Sequence, residues 1–181
     1  MCSPTSMSTL NDIAAAVRDV PDFPKPGILF KDITPVLGDA ALFQGCMNLL
    51  AETAKGQKID KVVGIDARGF IFAAGVAQNL DAGFVPVRKE GKLPWTTQRM
   101  AYTLEYGESV VEIHQDAILP GEKVLLVDDL LATGGTAAAA IKLLHALEAD
   151  VVAVSFLIEL EALQGREKLG SSTPIHSLLK Y

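Results

Sequence analysis

The chain has 181 residues, 49% of them hydrophobic and 21% charged, which is enough apolar material for one domain with its own core and excludes wholesale disorder. The 22 acidic and 16 basic residues give a net charge of −6, which disfavours a general nucleic-acid-binding protein because such proteins are usually basic. We find no signal peptide, no apolar stretch of membrane-spanning length and no cysteine framework, so we expect a reduced, cytoplasmic protein without membrane association.

The N-terminal part of the chain is rich in prolines. Residues 1–9 are mostly Ser, Thr and other small or polar types and predict a flexible tail. Weak helical character over Ile13–Val17 ends at Pro21. Four prolines between residues 21 and 35 disfavour an ordinary helix and favour an extended, ordered loop. Apolar spacing then predicts a helix over about residues 42–54.

The rest of the chain alternates short apolar runs with helical patterns. Buried strands are predicted at Lys61–Asp66, Phe84–Val87, Val124–Asp128 and Val151–Ile158, an edge strand or hairpin arm at Val110–Ile113, and helices at Phe70–Leu80 and Thr136–Leu147. Residues 89–103 are polar and turn-rich and predict a long loop, of the kind that is usually a lid or disordered. Apolar strands separated by helices predict a single α/β domain with a central, mostly parallel sheet flanked by helices. Ligands of such sheets bind beyond the carboxyl ends of the strands.

The segment VLLVDDLLATGGT, Val124–Thr136, contains the main candidate site. Its glycines allow a tight turn with several N–H groups directed at one point, and the following helix adds its unpaired donors and positive dipole end. A monophosphate cradle is therefore predicted over Ala132, Thr133, Gly134, Gly135 and Thr136. The adjacent carboxylates, Asp128 and Asp129, only accept hydrogen bonds and suit sugar hydroxyls, so the two features together describe a site for a ribose phosphate. Asp128 could instead be a buried strand-end acid satisfied by backbone N–H groups.

This segment resembles the phosphoribosyl pyrophosphate signature of the type I phosphoribosyltransferases. Five further segments resemble, in order and spacing, the members of that family that act on adenine: FPKPGILFKDITPVL (23–37), DARGF (66–70), RKEGKLP (88–94), LEYG (104–107) and GREKL (165–169). The similarity runs from about Pro21 to the C-terminus. It implies the type I phosphoribosyltransferase fold over residues 1–181, with a hood and base-binding loop over about residues 10–37, a flexible lid over about residues 89–103, and a homodimer.

The resemblance also implies a reaction, in which adenine and phosphoribosyl pyrophosphate give AMP and pyrophosphate in the presence of Mg²⁺. The metal would be held by substrate and water, with Asp66 as a candidate ligand from the chain. Asp128 and Asp129 would hold the ribose hydroxyls, Arg68 the pyrophosphate, and Glu105 a proton of the purine. The other implied binding residues are Leu29, Phe30 and Lys31 at the base and Arg88, Lys92 and Tyr106 near the lid. A non-proline cis peptide is implied at Ala67–Arg68.

Without the resemblance, Arg68 is an ordinary surface arginine, Glu105 an acid on an exposed strand, and Phe30 a core residue. Two other functions remain open. A related enzyme could act on another purine, although an oxo-purine reverses the hydrogen-bond pattern of adenine and would leave buried groups unpaired. A regulator could sense the activated sugar and bind nucleic acid, but the negative charge and the absence of an extra DNA-binding segment disfavour it.

Overall fold

Five α-helices, two short 3-10 helices (Glu161–Leu163 and Gly165–Leu169) and nine strands form within residues 9–104 and 107–181, which are the residues described by this computed structural model. The helices are α1 Leu10–Ala16, α2 Thr34–Gly38, α3 Ala40–Glu52, α4 Gly69–Asn79 and α5 Gly135–Ala146. The strands are β1 Arg18–Pro21, β2 Leu29–Asp32, β3 Lys61–Ile65, β4 Gly83–Lys89, β5 Thr97–Leu104, β6 Gly107–His114, β7 Lys123–Leu131, β8 Asp150–Glu159 and β9 Ile175–Lys180. No helix within the described ranges is long and apolar enough to cross a membrane. The chain divides into two compact units, Met1–Leu49 and Leu50–Tyr181.

The first unit is more regular than its prolines predict. Thr9 caps α1 through a reciprocal capping box with Asp12, so the predicted tail does not extend to residue 9, and residues 1–8 lie outside the described part of the chain. Strands β1 and β2 pair antiparallel, and α2 follows where an extended loop was predicted. That prediction was wrong for α2 because Pro35 lies in the first helical turn, where its missing N–H has no partner to lose. Cys46 on α3 is buried, and burial raises the pKa of its thiol to about 12.

The second unit is built on a seven-stranded sheet with the order β5-β6-β4-β3-β7-β8-β9. Strands β4, β3, β7, β8 and β9 run parallel to one another, whereas β6 is antiparallel to both β4 and β5. The prediction of a mostly parallel sheet with helices is confirmed. The central strands are buried on both faces, which is why they appear in the sequence as continuous apolar runs.

Two strands differ from the sequence prediction. Residues 97–104 form β5, and all but the last of them were predicted as loop, so the connection after β4 is limited to residues 90–96. Strand β5 lies at the sheet edge, where only one face packs: Met100 and Tyr102 lie against the core while Arg99 and Ala101 are exposed. An alternation of this kind over so few residues is easily overlooked among polar side chains. Strand β9, which pairs with β8, was not predicted either.

Candidate active site

A cavity of about 380 Å³ lies in the second unit at the carboxyl ends of β3 and β7. It is lined by residues 65–68, at the end of β3 and directly after it, and by residues 128–137, which comprise the end of β7, the turn after it and the start of α5. The structure therefore brings together the two segments in which the sequence predicts phosphate and ribose binding, DARG and DDLLATGGT. Parallel neighbouring strands explain the meeting, because β3 and β7 end at the same edge of the sheet.

The predicted phosphate cradle is a three-residue turn at the start of α5. Strand β7 continues to Leu131, beyond the predicted end at Asp128, so the turn itself spans only residues 132–134. Gly134 has φ +77, a left-handed conformation that strongly favours glycine. No side chain caps α5, so the N–H groups of its first turn are not consumed by a cap. These donors and the positive end of the helix dipole face the cavity and suit an anion.

The backbone of the GREKL segment packs directly against this turn. A Cβ atom on Gly134 would overlap the backbone of Gly165, and a Cβ on Gly165 would overlap the Ala132 carbonyl and lie 2.8 Å from the Gly134 nitrogen. The next residue, Arg166, is anchored by Glu159, to which it donates from both Nε (3.0 Å) and Nη2 (2.5 Å). This support was missed by sequence reasoning, which interpreted GREKL only as structural, because spacing along the chain carries no signal of a contact between distant backbones.

The two cavity carboxylates are held differently. Arg68 Nε lies 2.6 Å from Asp129 Oδ2, whereas Asp128 Oδ1 accepts the Asp129 N–H at 2.9 Å. Burial, followed by the neighbouring Asp129 charge, raises the pKa of Asp128 well above its usual range. Burial also raises the pKa of Asp129, an effect that the Arg68 charge opposes. Gly69 makes room for this pair, since a Cβ there would lie 2.5 Å from Asp128 Oδ1.

The acid that follows β3 meets two cations from the end of β4 and the turn after it. Asp66 Oδ2 lies 3.2 Å from Arg88 Nε and 3.8 Å from Lys92 Nζ. Asp66, Arg88 and Lys92, to which the resemblance assigns binding roles, are thus neighbours at one side of the cavity. The cis peptide bond is Asp66–Ala67, so the implied position, Ala67–Arg68, was wrong by one bond.

The residues implied in base binding lie in the first unit, on β2. Leu29 is half-exposed, and Phe30 packs edge-to-face on Phe23 with ring centroids 5.1 Å apart. Lys31 Nζ forms an ion pair with Asp19 Oδ1 at 2.6 Å. The two remaining implied residues, Glu105 and Tyr106, lie outside the described residues.

The order of elements and the cavity define a class of protein. A parallel sheet carries two adjacent acids at the end of one strand, a phosphate-type turn after them, and an arginine loop after the neighbouring strand. A model of the phosphoribosyl transferase domain family matches residues 36–170. The chain belongs to this phosphoribosyltransferase family.

Within the family, the similarity is to adenine phosphoribosyltransferases. The chain is 53% identical to that of Mesorhizobium japonicum over 170 residues, which are 93% of this chain and 94% of the relative. It is 52% identical to the crystal structure of the Rhodothermus marinus adenine phosphoribosyltransferase, with a TM-score of 0.90 and coverage of 95% and 98% of the two chains. The Saccharomyces cerevisiae enzyme, solved in complex with adenine and an imino-altritol bisphosphate, is 42% identical, with a TM-score of 0.88 and coverage of 93% and 97%.

Proposed function

We propose that this protein transfers the phosphoribosyl group of phosphoribosyl pyrophosphate to adenine and releases AMP and pyrophosphate. The observation that carries the proposal is the cavity, in which a phosphate-type turn, two adjacent acids and Arg68 meet at one edge of the sheet. The base is assigned as adenine because the chain is 53% identical to an adenine phosphoribosyltransferase over most of its length, and because the similar yeast enzyme was crystallised with adenine.

The ribose phosphate is anchored away from the reacting carbon. The N–H groups of residues 132–137 hold the 5′-phosphate, with the hydroxyls of Thr133 and Thr136 as further donors. Asp128 and Asp129 accept hydrogen bonds from the ribose hydroxyls. Binding energy from these remote contacts supports the chemical step by fixing the sugar in a reactive orientation.

The chemical step exchanges one bond at the anomeric carbon for another. The bond from this carbon to the pyrophosphate oxygen breaks, pyrophosphate departs with the electron pair, and a nitrogen of the imidazole ring of adenine forms the new bond to carbon. Arg68 stabilises the departing charge. Its Nε lies 2.6 Å from Asp129 Oδ2, so pyrophosphate and Asp129 compete for one guanidinium. Glu105 takes up the proton that the purine loses.

Mg²⁺ fits the donor set of this cavity. Asp66, Asp128 and Asp129 line it and offer the carboxylate oxygens that this cation prefers. Within residues 9–104 and 107–181, no three His, Cys, Asp or Glu side chains are grouped so that they could hold a metal ion. The ion would be held mainly by substrate oxygens and water, as is usual for this cation, and Asp66 would be the contribution of the chain. When bound, Mg²⁺ supplies positive charge to the pyrophosphate.

The base is recognised by β2. Adenine presents a donor, its exocyclic amine, and an acceptor, ring N1, on one edge, and the backbone groups of Leu29 and Lys31 match both. The ring of Phe30 stacks on the purine. An oxo-purine reverses the donor and acceptor at this edge and leaves buried groups unpaired, which can discriminate strongly between bases.

The two units act as one functional domain, with residues 10–37 as its hood. The segment of about residues 89–103 acts as a lid that excludes water, which competes with the base for the sugar carbon, and Lys92 and Tyr106 contribute contacts to the substrate. The protein works in the cytoplasm as a homodimer.

The test is product formation. Purified protein is incubated with adenine, phosphoribosyl pyrophosphate and Mg²⁺, and AMP is quantified by chromatography alongside released pyrophosphate. Equal amounts of both products are expected, and Asp129→Ala is expected to lower kcat/KM for the sugar by about 100-fold, since it removes an acceptor for the ribose hydroxyls. Absence of both products, with binding of the activated sugar retained, would favour a sensor of that sugar instead.

A further inference from the structure

Glu112 on β6 is a buried carboxylate outside the ribose-phosphate cavity. Only 1% of its surface is exposed, and it does not line the cavity. Its oxygens form an ion pair with Arg99 Nε at 2.9 Å and accept hydrogen bonds from the Gly91 N–H at 3.1 Å and from Thr97 Oγ1 at 3.4 Å. A charge in such a place is tolerated only when it is paired and hydrogen-bonded, so these donors are needed to keep the carboxylate buried.

The sheet register places this acid between two arginines. Glu112 is the direct partner of Arg88 on β4 and of Arg99 on β5, so the three residues form one row across three strands. Side chains that are directly opposite on neighbouring strands share a face of the sheet and interact. Glu90, which follows β4, extends the row by an ion pair with Arg99 at 3.0 Å.

Through Gly91, Glu112 also holds the turn that leaves β4. Within this turn the Lys92 N–H donates to the Lys89 carbonyl at 3.3 Å, and Arg88 Nη1 donates to the Lys92 carbonyl at 3.2 Å. The turn is thus closed on one side by its own backbone and on the other by the buried acid. A change at Glu112 would act first on residues 89–92.

Arg88 at the end of β4 and Lys92 in the turn both face an acid that lines the cavity. Arg88 Nε and Lys92 Nζ both approach Asp66 Oδ2, and Asp66 lines the cavity. This is the side of the cavity that the proposed function assigns to pyrophosphate. An unbroken series of contacts therefore runs from Glu112 through Gly91 and Lys92 to the pyrophosphate side.

We propose that Glu112 is a positioning residue, which fixes the 89–92 turn so that Arg88 and Lys92 are held ready for the pyrophosphate of the activated sugar. The inference rests on the proposed function. Fold stability alone does not account for the acid, because replacing a buried ion pair by well-packed apolar groups is often neutral or stabilising. The contacts of Glu112 with the turn and with β5 do account for it, because they fix the turn and thereby the direction in which Arg88 and Lys92 point.

Three variants separate this role from a structural one. Glu112→Leu removes all three contacts, Glu112→Gln keeps an oxygen for the Gly91 N–H, and Arg99→Gln removes one partner from an exposed position and is expected to fold in any case. Glu122→Gln is the matched control. Glu122 also accepts a hydrogen bond from a backbone N–H, that of Leu119 at 2.7 Å, and forms an ion pair with Lys61 at 3.7 Å. It directly precedes β7, however, and therefore lies at the amino ends of the parallel strands, away from the cavity.

The readout is KM for each substrate, measured by AMP formation, together with the affinity for magnesium pyrophosphate and for ribose 5-phosphate by calorimetry. For Glu112→Leu, we expect KM for phosphoribosyl pyrophosphate to rise about tenfold and pyrophosphate affinity to fall by a similar factor, while KM for adenine and ribose 5-phosphate affinity stay within about twofold. Glu112→Gln and Arg99→Gln should show about threefold effects of the same kind, and Glu122→Gln none.

Two results would overturn the inference. One is a set of folded variants in which only thermal stability falls, and the other is an equal loss of affinity for both halves of the sugar substrate. If Glu112→Leu does not fold, Arg99→Gln decides alone. Failure of the proposed function is recognised separately, because wild-type protein would then form no AMP, whereas the comparison of pyrophosphate affinities would still judge the role of Glu112.

Discussion

The contact beneath the phosphate turn makes Gly165→Ala an informative perturbation. Gly165 touches none of the implied substrate groups, yet the alanine Cβ would overlap the Ala132 carbonyl and lie 2.8 Å from the Gly134 nitrogen. Cβ contacts below 3.0 Å essentially never occur, and both atoms lie on the backbone of the turn, so the backbone must shift. The movement falls on the backbone groups that we expect to hold the 5′-phosphate.

The size of the effect follows from the bonds at risk. A hydrogen bond to a charged group contributes about 1.5–3 kcal/mol. Loss of one such bond to the phosphate, about 2 kcal/mol, corresponds to about a 30-fold higher KM for phosphoribosyl pyrophosphate. Overpacking adds a destabilisation of about 1–3 kcal/mol, so the variant should remain folded but melt earlier.

The assay is the initial rate of pyrophosphate release, measured against each substrate with the other at saturation. KM for the sugar should rise and KM for adenine should stay unchanged. The control is Gly38→Ala, because a Cβ there meets no atom within 4 Å. A folded Gly165→Ala enzyme with wild-type KM for the sugar would refute the reasoning, since the turn would then tolerate displacement or would not bind the phosphate.

Two further predictions concern buried charges. The folded-state pKa of Asp128 is raised, so the penalty for ionising it is absent below the unfolded-state pKa of about 3.9 and grows as the pH rises towards the folded-state value. Asp128→Asn should therefore raise Tm at pH 7 by about 2–4 °C, and the gain should vanish near pH 4, while turnover falls; a lower Tm at pH 7 in calorimetry would contradict this. Arg166→Met leaves the buried Glu159 without its bidentate partner, and chemical denaturation should show a loss of about 2 kcal/mol; an unchanged free energy of unfolding would mean that the ion pair contributes nothing.

The strands and helices that build the site were predictable because their sequence signals are local and strong. Apolar runs such as that of β7 are continuous, since these strands are buried on both faces. The TGGT turn is also a local signal, because the left-handed Gly134 and the start of α5 are adjacent in sequence. Ligands bind beyond the carboxyl ends of parallel strands, and this rule predicts from the sequence alone that DARG and DDLLATGGT lie at the same edge of the sheet.

What could not be predicted depends on contacts between distant segments. Gly165 packs against Gly134 although the two are 31 residues apart in sequence, and the residues around each glycine carry no pattern that predicts this contact. Strand β5 obtains its backbone partners from β6, so its polar sequence does not need a long apolar pattern. The role of Glu112 depends on the register that places it between Arg88 and Arg99, and a buried acid in a strand gives no sign of burial in the sequence.

The most direct test of the whole account is a panel of bases. Adenine, hypoxanthine, guanine and xanthine are each supplied at equal concentration with phosphoribosyl pyrophosphate and Mg²⁺, and pyrophosphate release is followed with the purified protein. Rapid release with adenine and kcat/KM lower by about 1,000-fold or more with the oxo-purines is the expected result. A preference for an oxo-purine, or no release with any base, would contradict the assignment of this site to phosphoribosyl transfer onto adenine.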